Sequence, residues 1–266
     1  MRHVGAIASR ELRSFFVSPV AYVVLALWAL LAATFFLASV ITFDSEIVRA
    51  QQFGAVQHLE TLNLNDHVIA PFLYSMWFIV VFALPAVTMG LFAAEKQNGT
   101  EELLLTSPLT VWEIVLGKFL AASAFVAVLT AVAGFFPAVL FVYGDPEVGK
   151  TTAGLLGLFL VSLAYVAVGG FASSLTRNQL IAFVLTLALL LVGGLMLPPL
   201  VSFALASDAV GTESGLVAVM RWVGTMEHFD RLVSGLVETR DIAYFAVVVG
   251  IFLVLTKTAV ESVRWR

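Results

Sequence analysis

Two hundred and sixty-six residues would suit one or two soluble domains, but 61% of this chain is hydrophobic and only 12% charged, against roughly 45 to 50% and about 25% in ordinary globular proteins. With 32 charged side chains and a mean hydropathy of +1.01 it cannot clothe a soluble sphere of its size, which argues against a cytosolic enzyme. A net charge of −4 provides no basic face for nucleic acid, and the absence of cysteine removes disulfides, thiol catalysis and thiolate metal sites.

The first expected element, residues 1–18, is an amphipathic helix. Val4, Ile7, Ala8, Leu12, Phe15 and Phe16 share one side, and Arg2, His3, Arg10 and Arg13 share the other, the pattern of an interfacial helix whose basic face meets anionic headgroups. Glu11 interrupts the apolar side. Two alternatives stay open for it: snorkelling into the headgroups, or pairing with a partner or with the cytoplasmic loop described below.

A hydrocarbon core of about 30 Å needs roughly 20 apolar helical residues. Five stretches without Asp, Glu, Lys or Arg meet this: residues 19–43, 68–94, 119–143, 153–175 and 180–206. The first is too long for a signal-peptide core and is expected to be a retained span. A sixth, residues 242–260, is long enough once Lys257 snorkels. Six crossings place both termini on one side. That side then holds Arg2, Arg10, Arg13, Lys96, Lys118, Arg177, Lys257, Arg264 and Arg266, leaving five basic residues opposite, so both termini are expected in the cytoplasm.

Between the second and third spans, residues 95–118 form a cytoplasmic segment with its own structural signals. Gly99 can end the preceding helix, and Thr100 can cap a short new one whose first turn carries Glu101 and Glu102 and which offers Leu103, Leu104 and Leu105 for docking. Pro108 stops that helix, and Thr110-Val-Trp-Glu113 is a capping box that launches the third span.

Gly144-Asp-Pro-Glu-Val-Gly149-Lys150-Thr151 satisfies the spacing of a nucleotide-phosphate loop. Its context is wrong: it joins two helices rather than a strand to a helix, it falls on the external side, and Asp145 and Glu147 put negative charge where phosphate would sit. A short polar turn is the expected outcome. The spans also lack the carboxylates and histidines by which ion-driven transporters bind their ion, and His3, His58, His67 and His228 all fall outside span cores. Pro85, Pro137, Pro198 and Pro199 mark kinks. The external segment 207–241 carries an apolar helical pattern through Leu216, Val219, Met220, Val223, Phe229, Leu232, Val233 and Leu236; it can lie at the outer interface with Trp222 at headgroup level, or pack over the bundle.

Glu95-x-x-x-Gly99-Thr100-x-Glu102-x-Leu104, followed by Pro108 and Glu113-x-x-x-Gly117-Lys118, resembles the coupling segment of ABC-2 type permeases, the membrane subunits of ATP-binding-cassette exporters. Arg10-Glu11-Leu12 with Phe16, Ser18 and Pro19 is similar to the gliding-motility-associated branch. So is Glu227-His228-Phe229 with Arg231, Gly235, Asp241, Tyr244 and the terminal Arg264-Trp265-Arg266.

The resemblance spans the whole chain and implies one ABC-2 type transmembrane domain over residues 1–266. The expected fold is all-α: a polytopic membrane protein with six transmembrane helices, an N-terminal interfacial helix and a short cytoplasmic coupling helix. It further implies a non-catalytic permease of a bacterial-type plasma (inner) membrane, paired with a second copy or a related permease, in contact with lipid but not nucleic acid, above two cytoplasmic ABC ATPase subunits. No cofactor is expected in this chain; ATP and Mg belong to the partner. The implied coupling residues are Glu95, Gly99, Thr100, Glu101, Glu102, Leu103, Leu104, Pro108, Glu113, Gly117 and Lys118, braced by Arg10, Glu11 and Arg13 of the interfacial helix. A scaffold subunit that anchors a complex without moving a substrate stays open as the alternative. Phe72, Tyr74, Trp77, Phe78 and Phe82 in the second span are expected to face lipid or pack between helices.

Overall fold

The computed structural model describes residues 2–17, 19–53, 62–100, 109–196 and 224–263. Every regular element among them is helical, in keeping with an all-α polytopic membrane protein. Helix α1 (Arg2–Val17) precedes α2 (Pro19–Gln52), and a π-helical turn (Asn65–Ile69) leads into α3 (Ala70–Thr88) and α4 (Gly90–Asn98). Then come α5 (Val111–Tyr143), α6 (Val148–Leu175) and α7 (Gln179–Leu190), which continues as a second π-helical turn (Leu191–Met196). Helices α8 (Thr225–Val233) and α9 (Thr239–Val263) complete the described chain.

Five helical stretches are long and apolar enough to cross a membrane, residues 21–52, 65–98, 111–143, 148–175 and 239–262, with a shorter apolar helix over 179–194. They fall on the six expected spans; residues 197–206 of the fifth, and 207–223 of the external segment with Trp222, lie outside the described residues. The helices overrun the apolar runs, because a helix ends where its backbone is capped and not where hydrophobicity stops.

Pro19 and Pro71 sit in first turns, where a missing N–H costs nothing, whereas Pro85 lies inside α3 and cannot donate to the chain behind it. One turn later the span is interrupted between α3 and α4. Ser173 of α6 enters there: its Oγ accepts from the amides of Phe92 and Ala93, each at 3.0 Å, and donates to the Met89 carbonyl at 2.8 Å. A hydroxyl from the neighbouring helix thus stands inside the hydrogen-bond ladder, one of the recognised causes of a helix break. In hydrocarbon such backbone groups must be satisfied by protein.

Helix α6 is the centre of the bundle and touches α3, α4, α5, α7, α8 and α9, while α2 and α9 lie at the perimeter with few of their side chains fully buried. Close approach depends on glycine. A Cβ on Gly169 would stand 2.1 Å from Thr88 Oγ1, and one on Gly157 would stand 2.9 Å from Leu232 Cβ. Indole N–H groups tie helices together: Trp28 of α2 donates to the Leu129 carbonyl at 2.8 Å, and Trp77 of α3 donates to the Tyr165 hydroxyl at 3.2 Å.

At one end of the bundle α1 lies on the first turns of α5, and Lys257 of α9 stands over the Trp112 ring at 5.8 Å, so both ends of the described chain lie together. At the opposite end Asn65 donates to the Glu147 carbonyl (3.2 Å) and to Thr151 Oγ1 (3.1 Å), and Lys150 pairs with Asp66. The phosphate-loop lookalike is therefore a turn between α5 and α6, with its lysine and threonine engaged in holding that turn.

Helix α8 packs over the bundle: Phe229 and Leu232 are fully buried, and Phe229 stacks on Trp77 with ring centroids 6.3 Å apart. Its other face is pinned to α9. Arg231 Nε donates to both Asp241 oxygens (3.0 and 3.2 Å), His228 Nδ1 lies 2.7 Å from Asp241 Oδ1, and the His228 ring stacks on Tyr244 at 3.9 Å. Of the two possibilities for the external segment, its described part is packed on the protein.

Gly169→Ala should lower the thermal midpoint of the purified protein, a loss of about 1–3 kcal/mol from overpacking that outweighs the gain of about 1 kcal/mol in helix propensity. Adding Thr88→Ala should recover part of it. Asp241→Asn should cost about 3 kcal/mol, the low end for breaking a buried pair, because Arg231 keeps 19% of its side chain exposed; chemical unfolding followed by tryptophan fluorescence reads it.

Candidate functional site

The two helix ends that flank residues 99–110 are firmly closed. Gly99 adopts a left-handed φ of 70°, as a helix-ending glycine does, and the Thr100 amide and hydroxyl donate back to the Glu95 carbonyl at 3.0 and 3.3 Å. On the other side Thr110 and Glu113 form the expected capping box: Thr110 Oγ1 accepts from the Glu113 amide at 3.3 Å, and the Glu113 carboxylate accepts from the Thr110 amide at 3.0 Å. Glu101, Glu102, Leu103, Leu104 and Pro108 of the expected coupling helix lie outside the described residues.

Glu95 at the end of α4 and Lys118 in the second turn of α5 meet beneath this connection. Lys118 Nζ stands 2.8 Å from Glu95 Oε1 and 3.6 Å from Glu11 Oε1, with the Phe92 ring centroid at 5.4 Å. Only 2% of the Lys118 side chain is exposed. Glu11 also accepts from Arg10 at 2.7 Å. Of the two alternatives for Glu11, pairing with the segment 95–118 is the one observed, since Lys118 belongs to that segment.

Sequence brings α1 to this place by leaving room for it. Gly117 faces Ile7, and a Cβ there would stand 2.6 Å from Ile7 Cγ2. Phe15 then stacks on Phe125 with centroids 5.7 Å apart, and Phe16 meets the same ring at 6.1 Å. The apolar stripe of α1 is thus laid on α5, with Arg13 exposed on the far side. The attraction of each charge pair is about 4 kcal/mol at 4 Å for an effective dielectric of 20, and burial of the ions offsets much of it. The cluster therefore adds little net stability when complete but is costly to break, which couples α1, α4 and α5 mechanically.

Several participants were not singled out from the sequence. Lys96 donates to the Ser174 carbonyl at 2.7 Å, a cation at the carbonyl end of α6, as the helix dipole favours. Phe92 and Phe125 read in sequence as ordinary apolar positions. A cavity of about 590 Å³ opens beside the cluster, between α1, α2, α3, α4, α5 and the first residue of α7. Phe15, Val24, Val87 and Phe125 wall it, and Arg10, Glu11, Glu95 and Lys118 form its charged side.

Lys118→Met should leave two carboxylates facing each other and loosen α1, seen as faster tryptic cleavage at Arg10 and Arg13. In a cycle with Glu95→Gln the coupling energy between positions 118 and 95 should be about 1–3 kcal/mol.

The chain matches the family described as ABC-2 family transporter protein over residues 6–263. It is 30% identical over 119 residues to the probable multidrug ABC transporter permease YbhR of Escherichia coli strain K12, and equally to that of Escherichia coli O157:H7. The shared stretch is 44% of this chain and 30% of each relative, so the chain spans less than a third of the length of these curated proteins. The family match extends from α1 through α9 and takes in the clustered charges as well as the membrane-crossing helices. The chain belongs to the ABC-2 family of transporter proteins.

Proposed function

We propose that this chain is the membrane-spanning permease subunit of an ATP-driven exporter, and that it receives force from a separate cytoplasmic ATPase through residues 95–118. The observation that carries this is the Glu11–Lys118–Glu95 cluster. Residues 101–108 connect two closed helix ends in the sequence, and the ion pairs behind those ends join the N-terminal helix, the second span and the third span. A push on that connection is thereby delivered to three helices at once. Ser173, inserted where α3 gives way to α4, supplies a point about which the lower part of the second span can tilt against α6.

Two ATPase subunits beneath a pair of permeases, this chain with a second copy or a related one, would give the complex two such connections. The basic bias of the end that carries α1 supports placing that end in the cytoplasm of a bacterial-type inner membrane. Nucleotide chemistry belongs to the ATPase in this scheme. The likeness of Arg10-Glu11-Leu12 and Glu227-His228-Phe229 favours the gliding-motility-associated branch within the family.

The paired substitution Glu102→Gln with Leu104→Ala, in a complex reconstituted with its ATPase, should cut transport by about tenfold or more, the weight of at least about 1.4 kcal/mol at the docking surface. Insertion and expression should stay normal. Full transport and full ATPase stimulation in that variant would show that force enters elsewhere. A complex that hydrolyses ATP yet moves nothing across the bilayer would assign the chain to a scaffold role.

A further inference from the structure

We propose that the cavity beside Lys118 is a binding site for an amphiphile with a cationic amine head, the ammonium seated between Glu11 and Glu95 and the apolar body against Phe15, Val24, Val87 and Phe125. The volume of about 590 Å³ falls within the roughly 300–1,000 Å³ of small-molecule sites, and apolar walls with a few convergent polar groups are the usual lining of such sites.

The sign of the head follows from which charges face the cavity. Lys118 has 2% of its side chain exposed, whereas Glu11 has 18% and Glu95 has 21%. The ammonium is recessed and an arriving head meets carboxylate first. The closest approach in each of the cluster's ion pairs is through Oε1, and a carboxylate with two oxygens has acceptor capacity beyond one such contact. An anionic head would have to pass two carboxylates to reach the recessed Lys118, with Arg10 the exposed cation at the rim; an ammonium instead brings N–H donors to the remaining acceptor capacity of those carboxylates.

Arg10 makes the exchange cheap. Its side chain is 63% exposed and its recorded ion pair is with Glu11, and an exposed pair of this kind contributes about 0–1 kcal/mol. A ligand amine can displace it into water and take a better desolvated position beside Glu11. The occupant would touch α1, α2, α3, α4 and α5 together, so filling the cavity would brace the same helices that the charge cluster joins. One chemistry has two sources: a lipophilic amine arriving from solution or the inner leaflet, or the head of an aminophospholipid.

The test uses the purified full-length protein in phosphatidylcholine nanodiscs with dansylcadaverine, a primary amine carrying a fluorescent naphthalene body. Saturable binding is expected, with an affinity at least about tenfold above that of the matching dansyl carboxylic acid, a preference of at least about 1.4 kcal/mol. Glu95→Gln with Glu11→Gln should weaken the amine by about tenfold or more. Ala86→Trp, which fills the cavity from an exposed lining position, should abolish binding without lowering the thermal midpoint. Arg10→Gln should tighten it about two- to fivefold by removing the competing cation, a gain that no folding defect can imitate.

Nanodiscs containing phosphatidylethanolamine distinguish the sources. A fall in apparent amine affinity there assigns the natural occupant to an aminophospholipid, and an unchanged affinity assigns it to a non-lipid amine. Absent or non-saturable binding, equal or tighter binding of the acid, or weakened binding in Arg10→Gln would overturn the proposal. Binding is read without any ATPase, so its failure would leave the coupling role of the cluster standing, and a loss of coupling would leave the pocket standing.

Discussion

A polar group inside hydrocarbon has no water to turn to, and this constraint decides where the polar atoms of the bundle go. Ser173 lends its hydroxyl to the amides and carbonyl exposed where α3 gives way to α4. Trp28 reaches across to a carbonyl of α5, and Trp77 to the hydroxyl of Tyr165 on α6. Each such bond joins two helices that would otherwise be held only by dispersion and shape, since lipid is as apolar as the side chains it competes with. The interhelical bonds select neighbours, and glycines such as Gly157 and Gly169 let those neighbours come close enough to make them.

The same constraint sorts the charges. None lies in the middle of a span; they gather at the two ends, and each end has a knot in which an ionic group is shared. Opposite the termini, Asp241 accepts from Arg231 and lies against His228, and so fastens α8 to the start of α9. At the other end Lys118 is shared by Glu11 and Glu95. The first knot fastens α8, which packs on α6. The second ties α1 to the end of α4 and the start of α5, the described ends of the segment 95–118. A bundle whose buried ions are expensive to unpair moves its helices as sets.

Much of this was legible in the sequence for identifiable reasons. Long uncharged runs point to spans, and counting them gives six; five coincide with helices long and apolar enough to cross, while the run 180–206 is described as a shorter apolar helix over 179–194. The Thr110–Glu113 box and the Gly99 terminator appear as expected, because caps are local chemistry completed within four or five residues. The phosphate-loop spacing falls on a turn between two helices, as its sequence context indicates, and Lys150 is found paired with Asp66. What sequence left open was long-range. Glu11 read equally well as a snorkelling residue, because its partner lies more than a hundred positions away in the chain. The external segment read equally well as an interfacial helix, because an apolar face does not announce whether lipid or protein will cover it.

The sequence by itself determined the class of this protein, the positions of its membrane helices, the ends of those helices and the family to which it belongs. Each of these depends on composition, period or spacing within one stretch of chain. Only the tertiary structure decided that α1 lies on α5, that a recessed lysine is held by two glutamates from different helices, that a hydroxyl of α6 fills the gap between α3 and α4, and that a cavity opens beside the ions. These follow from close packing in three dimensions, where a missing Cβ at Gly117 or Gly169 sets which surfaces can touch, and no local pattern carries that information.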